Sequence, residues 1–423
     1  MKNRIGTLAV IMAFWFSISF ISNLLGPLIP DIIHNFNLKD MRLAGFIPSS
    51  FFLAYAVMAI PSGILIEKYG EKRVLLMGFS LQIFAAVLFA IIHTYLILLT
   101  SCFLIGIGMT MLQTILNPLQ RIVGGEKNHA FVGEVAQFVF GIASFLSPLL
   151  YSYLVTEMNA SHTSQNFLIQ FLSTITPSEM PWVSLYWIIT ILLLIMLIAA
   201  FITTFPHIDP IQDKEANTTR SYRSLFKQKA VGLFFLGIFS YVSAEQSISI
   251  FMSTFLEKYH QVNPQIEGAR TISFFWGAMT LGCIVGMIAL KFFNSKILLR
   301  ISGLLASLLL VIALSAPKAI AIIAFPAIGF SISMMFSIVF SLALNSVSQN
   351  HGTFAGILCS AISGGAIGPL LITLIADYTS LRFAMFFILI YLLYITSIGY
   401  WAKPLIENKT IQVKDIFKKR KKN

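Results

Sequence analysis

Residues 63–76 read GILIEKYGEKRVLL, and residues 286–299 read GMIALKFFNSKILL. Gly63 aligns with Gly286, Lys68 with Lys291 and Arg73 with Lys296, and both runs close on two leucines. The offset of 223 residues (286 − 63) is about half of the 423-residue chain, and it also sets Gly106 on Gly329. An offset of 221 (368 − 147) sets SPLL at Ser147–Leu150 on GPLL at Gly368–Leu371. A chain written twice folds as two like units. In a membrane, duplicated helical units build a site at their interface that opens to each side in turn.

The repeats sit inside apolar runs of about 20–30 residues, and about 20 are enough to cross a bilayer core. The runs fall at 5–33, 43–66, 74–93, 96–122, 129–156, 183–205, 230–258, 269–293, 298–315, 319–347, 353–376 and 381–402. Hydrophobic residues are 57% and charged residues 11%. A soluble domain carries roughly 25% charged residues, so this chain has too little polar material to cover a soluble core. Backbone groups in lipid pair within their own segment, and strand alternation is absent, so the runs are expected to be helices. The expected fold is an all-α membrane protein of twelve transmembrane helices in two six-helix bundles. Residues 1–205 form the first bundle, 206–229 a cytoplasmic linker, 230–403 the second bundle and 404–423 a basic tail.

The net charge of +12 has a lopsided distribution. With the N-terminus inside, 23 of the 29 Lys and Arg residues fall in inner segments. The positive-inside rule then puts both termini in the cytoplasm, and no nucleic-acid partner is needed to explain the charge. The Ile-, Lys- and Phe-rich composition looks bacterial, which points to the cell inner membrane. Cys102, Cys283 and Cys359 all fall inside spans and read as packing residues. No metal-ligand spacing and no cofactor motif is present, and a monomer is expected. The outer segment 157–182 contains NFLIQFL at Asn166–Leu172, which reads either as a short amphipathic lid or as an ordered surface loop.

Polar residues inside apolar helices are costly, so they mark candidate sites. Span 4 holds Gln113 and Asn117-Pro118, and the two amides lie four apart on one helix face. They suit sugar hydroxyls, or else bond a neighbouring helix. Asn23, Gln137 and Asn345 are further polar residues within spans. Trp276 is a candidate platform for a sugar ring. Trp15, Trp182, Trp187 and Trp401 read as interface anchors. Glu245, beside Tyr241 and Gln246, is the clearest carboxyl inside a span. Buried without a charged partner, such a group can exchange a proton. Asp377, at the outer end of span 11, is expected to cap a helix or to pair with Arg382.

The 63–76 segment resembles the loop between spans 2 and 3 of the major facilitator superfamily, whose pattern is G-x-L-x-D-R-x-G-R-[RK]. Here it reads Gly63, Leu65, Glu67, Lys68, Gly70, Glu71 and Lys72, followed by Arg73. Gly63 is expected to let helices approach closely, and the loop charges to pair with helix ends as the halves rock. Gln113, Asn117-Pro118, Gly124-Gly125 and Ala136-Gln137 resemble a narrower group, the fucose–galactose–glucose:proton symporter family. YVSAEQ (Tyr241–Gln246), SFFWG (Ser273–Gly277), FSLAL (Phe340–Leu344) and SGGAIGPLL (Ser363–Leu371) continue the likeness. The resemblance implies a carrier of a hexose or deoxyhexose, coupled to a proton or sodium ion. It implies substrate contacts at Gln113, Asn117, Gln137, Glu245, Gln246, Trp276, Asn23 and Asn345.

Two departures bear on coupling. The proton-coupled fucose carriers bear an Asp in span 1, four residues before a proline, where this chain has Gly26. Their span 4 Glu is Gln113 here. Glu245 is therefore the expected coupling group, and uncoupled facilitated diffusion is a further reading. A multidrug or organic-anion carrier is the alternative within the superfamily. No H-E-x-x-H, G-x-S-x-G, P-loop or paired carboxylate is present to support an enzyme.

Overall fold

The computed structural model describes residues 4–124, 129–159, 166–205, 228–346 and 351–404. Twelve helices among them are long and apolar enough to cross a membrane. In the first half these are α1 (Ile5–Asn35), α2 (Met41–Tyr69), α3 (Glu71–Ile91), α4 (Tyr95–Gly124), α5 (His129–Asn159) and α6 (Ser184–Ile202). In the second they are α7 (Lys229–His260), α8 (Ala269–Phe292), α9 (Ser295–Ser315), α10 (Lys318–Leu344), α11 (Ile357–Tyr378) and α12 (Leu381–Trp401). Four of them are interrupted: α1 at Asn23–Leu24, α10 at Ser333–Met334, α11 by a tight turn at Ala361–Ser363, and α12 at Phe387. Local breaks are tolerated in lipid where neighbours re-pair the freed groups.

Each half packs as one six-helix bundle, and the sequence repeat has a packing counterpart. Gly106 of α4 sits so close to α2 that a Cβ would overlap the Phe51 carbonyl. Its mate Gly329 of α10 does the same against the Phe275 carbonyl of α8. Small residues let backbones meet where no hydrophobic effect drives association. The bundles meet through α1 with α7, α2 with α11, and α5 with α8. The last two crossings are built alike: Gly45 of α2 faces Thr373 of α11, and Gly141 of α5 faces Thr280 of α8. At both, a Cβ on the glycine would overlap the threonine side chain.

Among the described residues, close approach between the bundles lies toward one end, the one the charge count assigns to the outside. Arg42 Nε lies 2.6 Å from Asp377 Oδ2, His34 Nε2 lies 2.8 Å from Glu257 Oε1, and Ser49 donates to the Ala366 carbonyl at 2.7 Å. At the other end a Cβ on Gly63 of α2 or Gly232 of α7 would have nothing within 4 Å. The expected close approach at Gly63 is therefore absent here, because the bundles part at that end; only its mate Gly286 is tight, against Met334.

Several expectations are corrected by the packing. Asp377 does cap a helix, accepting the Arg42 backbone N–H at the start of α2 at 3.3 Å, but its ion pair is with Arg42 across the bundle interface, while Arg382 lies over the Tyr259 ring at 4.5 Å. An arginine can satisfy itself on aromatic faces, which frees the carboxylate for the other bundle. Trp182 is no interface anchor: it is buried, and its indole donates to Asn35 Oδ1 at 2.6 Å. Trp15 likewise donates inward, to Gln120 Oε1 at 3.0 Å. Cys102 is buried as expected, but Cys359 is exposed. The outer segment forms a helix, Phe167–Ile175, capped by the Asn166 side chain, with Ile169 and Leu172 buried beneath it.

Candidate functional site

A connected layer of side chains crosses the middle of the molecule. Gln113 of α4 donates to the Tyr55 hydroxyl of α2 at 3.0 Å. The Tyr55 ring packs on Phe52, with centroids 6.1 Å apart, and Phe52 abuts Gly365 of α11. The neighbouring Gly364 carbonyl accepts from Ser243 of α7 at 3.0 Å. One half-turn along α7, the Tyr241 hydroxyl donates to Glu245 Oε1 at 3.0 Å. The contacts from the span 4 amide thus reach α7 at Ser243, and Tyr241 and Glu245 stand at the same depth on another face of that helix.

Trp276 of α8 lies one turn inward of Ile272, which packs near Gly26 of α1. It is buried against Phe275, and its indole N–H has no partner among the described residues. Ser247 and Ser273, on the two helices that flank Gly26, also hold unpartnered hydroxyls. A buried donor without a partner costs roughly 1–3 kcal/mol. Three such groups beside the carboxyl-bearing layer make a region suited to a polyhydroxyl guest. Gly26 itself has no room for a side chain: a Cβ would stand 2.7 Å from the Ser249 carbonyl. An aspartate at that position would not fit this helix crossing.

The other expected site residues are placed less centrally. Asn23 is buried in the α1–α5 seam, where its amide donates to the Ser19 carbonyl and to Ser144 Oγ, both at 2.9 Å. Its donors are used at the break in α1, which accounts for the residue without a substrate. Asn345 ends α10, next to Ser341 at 3.5 Å. Gln137 is exposed on α5, toward the parted end, and Gln246 is half-buried beside Glu245. Asn117 belongs to α4, but its side chain lies outside the described residues, as does that of Glu67.

In the loop between α2 and α3, Gly70 has φ 79°, a conformation that glycine adopts freely. Lys72 donates to the Phe201 and Thr203 carbonyls at 2.6 and 3.0 Å, capping the C-terminus of α6. In the second bundle Arg300 of α9 serves α12 in the same way, through the Gly399 carbonyl at 2.8 Å. A cation at a helix C-terminus offsets the orphan carbonyls and the dipole. Lys68 and Arg73 are exposed.

One carboxyl escaped the sequence reading. Asp31 sits near the end of span 1, directly after Pro30. In the structure α1 continues to Asn35, and Asp31 is only 7% exposed. It accepts from the Tyr151 hydroxyl at 2.6 Å and from the Gln265 amide at 3.0 Å. The apolar neighbours Ile29, Ile32 and Ile33 were the signal in the sequence. So Glu245 is not the only carboxyl inside a span.

Two bundles of six helices, matched crossings at one end and a polar layer between them define a transporter. The family model described as Major Facilitator Superfamily matches residues 10–365, and the chain belongs to that family. It is accordingly a multi-pass membrane carrier rather than an enzyme. It is similar to a glucose/galactose transporter of Brucella abortus biovar 1, 27% identical over 409 residues that cover 94% of each chain. It is similar to the L-fucose-proton symporter of Escherichia coli K12, 24% identical over 387 residues, covering 86% of this chain and 85% of that one. Among solved structures, the crystal structure of the E. coli fucose:proton symporter shares the fold, with TM-score 0.67 and 22% identity, over 95% of this chain and 99% of that one.

Proposed function

We propose that the chain carries a hexose or deoxyhexose of the glucose, galactose or fucose type, by alternating access and with cation-coupled uptake. The observation that carries this reading is the central layer from Gln113 to Glu245, flanked by the unpartnered donors of Trp276, Ser247 and Ser273. Amides, hydroxyls and an indole N–H are the groups that sugar hydroxyls satisfy. Relatives named for glucose/galactose transport and fucose–proton symport support it.

In this reading Gln113, Asn117, Glu245, Gln246 and Trp276 face the sugar, Gln137 lies on its route, and Glu245 takes up the coupling proton. Asn23 and Asn345 act as structural hydrogen-bonding residues. The parted end faces the cytoplasm, so the conformation is inward-open. The protein works as a monomer in the inner membrane, with both termini inside, the bundles bounded at 1–205 and 230–403, and a linker and a basic tail on the cytoplasmic face.

Purified protein in liposomes tests the reading. Labelled glucose, galactose and L-fucose are offered under an imposed pH gradient, an imposed sodium gradient, or neither. Accumulation of one of them driven by a single gradient is the expected result. Equilibration without accumulation would favour the uncoupled reading that Gly26 and Gln113 allow. Transport of organic anions but of no sugar would overturn the proposal.

A further inference from the structure

Among the described residues Asp31 is the one buried carboxyl at the closed end, and it binds both bundles. Tyr151 belongs to α5 of the first bundle; Gln265 belongs to the turn Pro264–Gly268 that leads into α8 of the second. The two donors address different oxygens, Oδ2 and Oδ1. That is the arrangement of an ionised carboxylate, which offers acceptors only. A proton on Oδ1 meets the Gln265 amide nitrogen, which cannot accept, and a proton on Oδ2 requires the Tyr151 hydroxyl to turn from donor to acceptor.

A route to the outer solvent exists. A cavity of about 270 Å³ is lined by Asp31, His34, Asn35, Glu179, Trp182 and Gln265, and such a polar space holds water. Among the described residues, the other titratable and charged groups facing Asp31 are few. On α1 it is His34, paired with Glu257 of α7 at 2.8 Å; Glu179 comes from the outer segment. Glu267, near Gln265, turns away to Lys318 at 2.7 Å. His34 is the one cation among these that can favour the ionised carboxylate over the protonated form.

We propose that Asp31 is a proton-operated latch: ionised, it ties α1 to the entrance of α8 and keeps the outer end shut, and a proton arriving through the outer cavity releases it. The proton comes from outside water, adds to the carboxyl without any other bond changing, and returns to water when the end re-closes. Glu245 is left free for the step at the sugar. The latch rests on the carrier reading only for which side is outside.

The test measures the gate without sugar. Spin labels at Lys39→Cys and Arg270→Cys, exposed on opposite bundles, are placed in protein whose three cysteines are serine. Pulsed electron resonance then reads their separation in nanodiscs across a pH series. The wild-type background should gain a longer-distance population as pH falls, with the open-to-closed ratio rising about tenfold, within the usual range for coupled equilibria. Asp31→Asn should hold the long population at every pH. Tyr151→Phe and Gln265→Leu, which keep most of the side-chain volume, should move the step to higher pH. His34→Gln and Glu245→Gln should retain the step.

A flat wild-type profile, or a step that persists in Asp31→Asn and vanishes in His34→Gln, would overturn the proposal. If Asp31→Asn does not fold, the two donor variants decide it. In Tyr151→Phe and Gln265→Leu, an open fraction raised equally at all pH values, with the step left at the wild-type pH, would make the Asp31 contacts a structural strut and sink the latch. Because no sugar enters the measurement, failure of the sugar assay leaves this result standing, and the reverse holds too.

Discussion

Gln113 donates one amide hydrogen to Tyr55 in the layer. Replacing Gln113 with Ala should weaken sugar binding by about threefold to tenfold, the value of one net hydrogen bond. Binding to folded, detergent-purified protein measures this; unchanged affinity with lower yield would assign Gln113 to helix packing. Glu245 accepts from the Tyr241 hydroxyl and from the Gln246 side chain, and both donors are neutral. A charge there is poorly compensated, whereas a proton makes it an ordinary hydrogen-bonding group. Glu245→Gln should abolish accumulation against a gradient and preserve counterflow of labelled sugar. If the variant still accumulates sugar, the coupling group lies elsewhere, and Asp31 becomes the next residue to test. The polar residues of spans 4 and 7 were legible in the sequence because amides and carboxyls are conspicuous in apolar runs. Asn23 was equally conspicuous, but sequence cannot tell that Ser19 and Ser144 consume its donors.

Between elements, the bundle contacts depend on absent side chains. Gly45 faces Thr373 with no room for a Cβ, and Gly141 faces Thr280 in the same way. Gly45→Ala should destabilise the closed outer end by about 1–3 kcal/mol, the usual cost of overpacking. The thermal transition of the purified protein should fall, and Thr373→Ala in the same chain should restore part of the loss. No restoration would mean that the strain lies within α2 instead. At the loop between α2 and α3, Lys72 caps α6. Lys72→Met keeps the stem and removes the charge, and should cost about 0.3–1 kcal/mol, read in the same melts. The sequence suggested that loop charges meet helix ends, and this one does. The partner of Asp377 was misjudged for a plain reason: Arg382 is near in sequence, while Arg42 is near only once α2 and α11 have crossed.

For the whole molecule, the contrast between Gly45 and Gly63 on one helix describes a V, shut at one end and open at the other. A cysteine at Gly63 has space and should react with a membrane-impermeant maleimide from the cytoplasmic side of oriented vesicles. The reaction should slow in acid, when the outer latch opens and the inner ends close. Equal rates in both conditions would mean that α2 does not move with the gate.

The sequence by itself determined the membrane class, the twelve spans and the duplication, since bilayer thickness and backbone satisfaction leave a long apolar run few options. Which polar residues meet follows from how the helices pack. The tertiary structure showed that Gly26 is empty because α7 crosses there, and that Asp31 is buried because α1 runs on beneath Tyr151 and Gln265. Those outcomes depend on contacts between residues more than a hundred positions apart. Local pattern fixes each helix but carries no record of which neighbour its polar face will find.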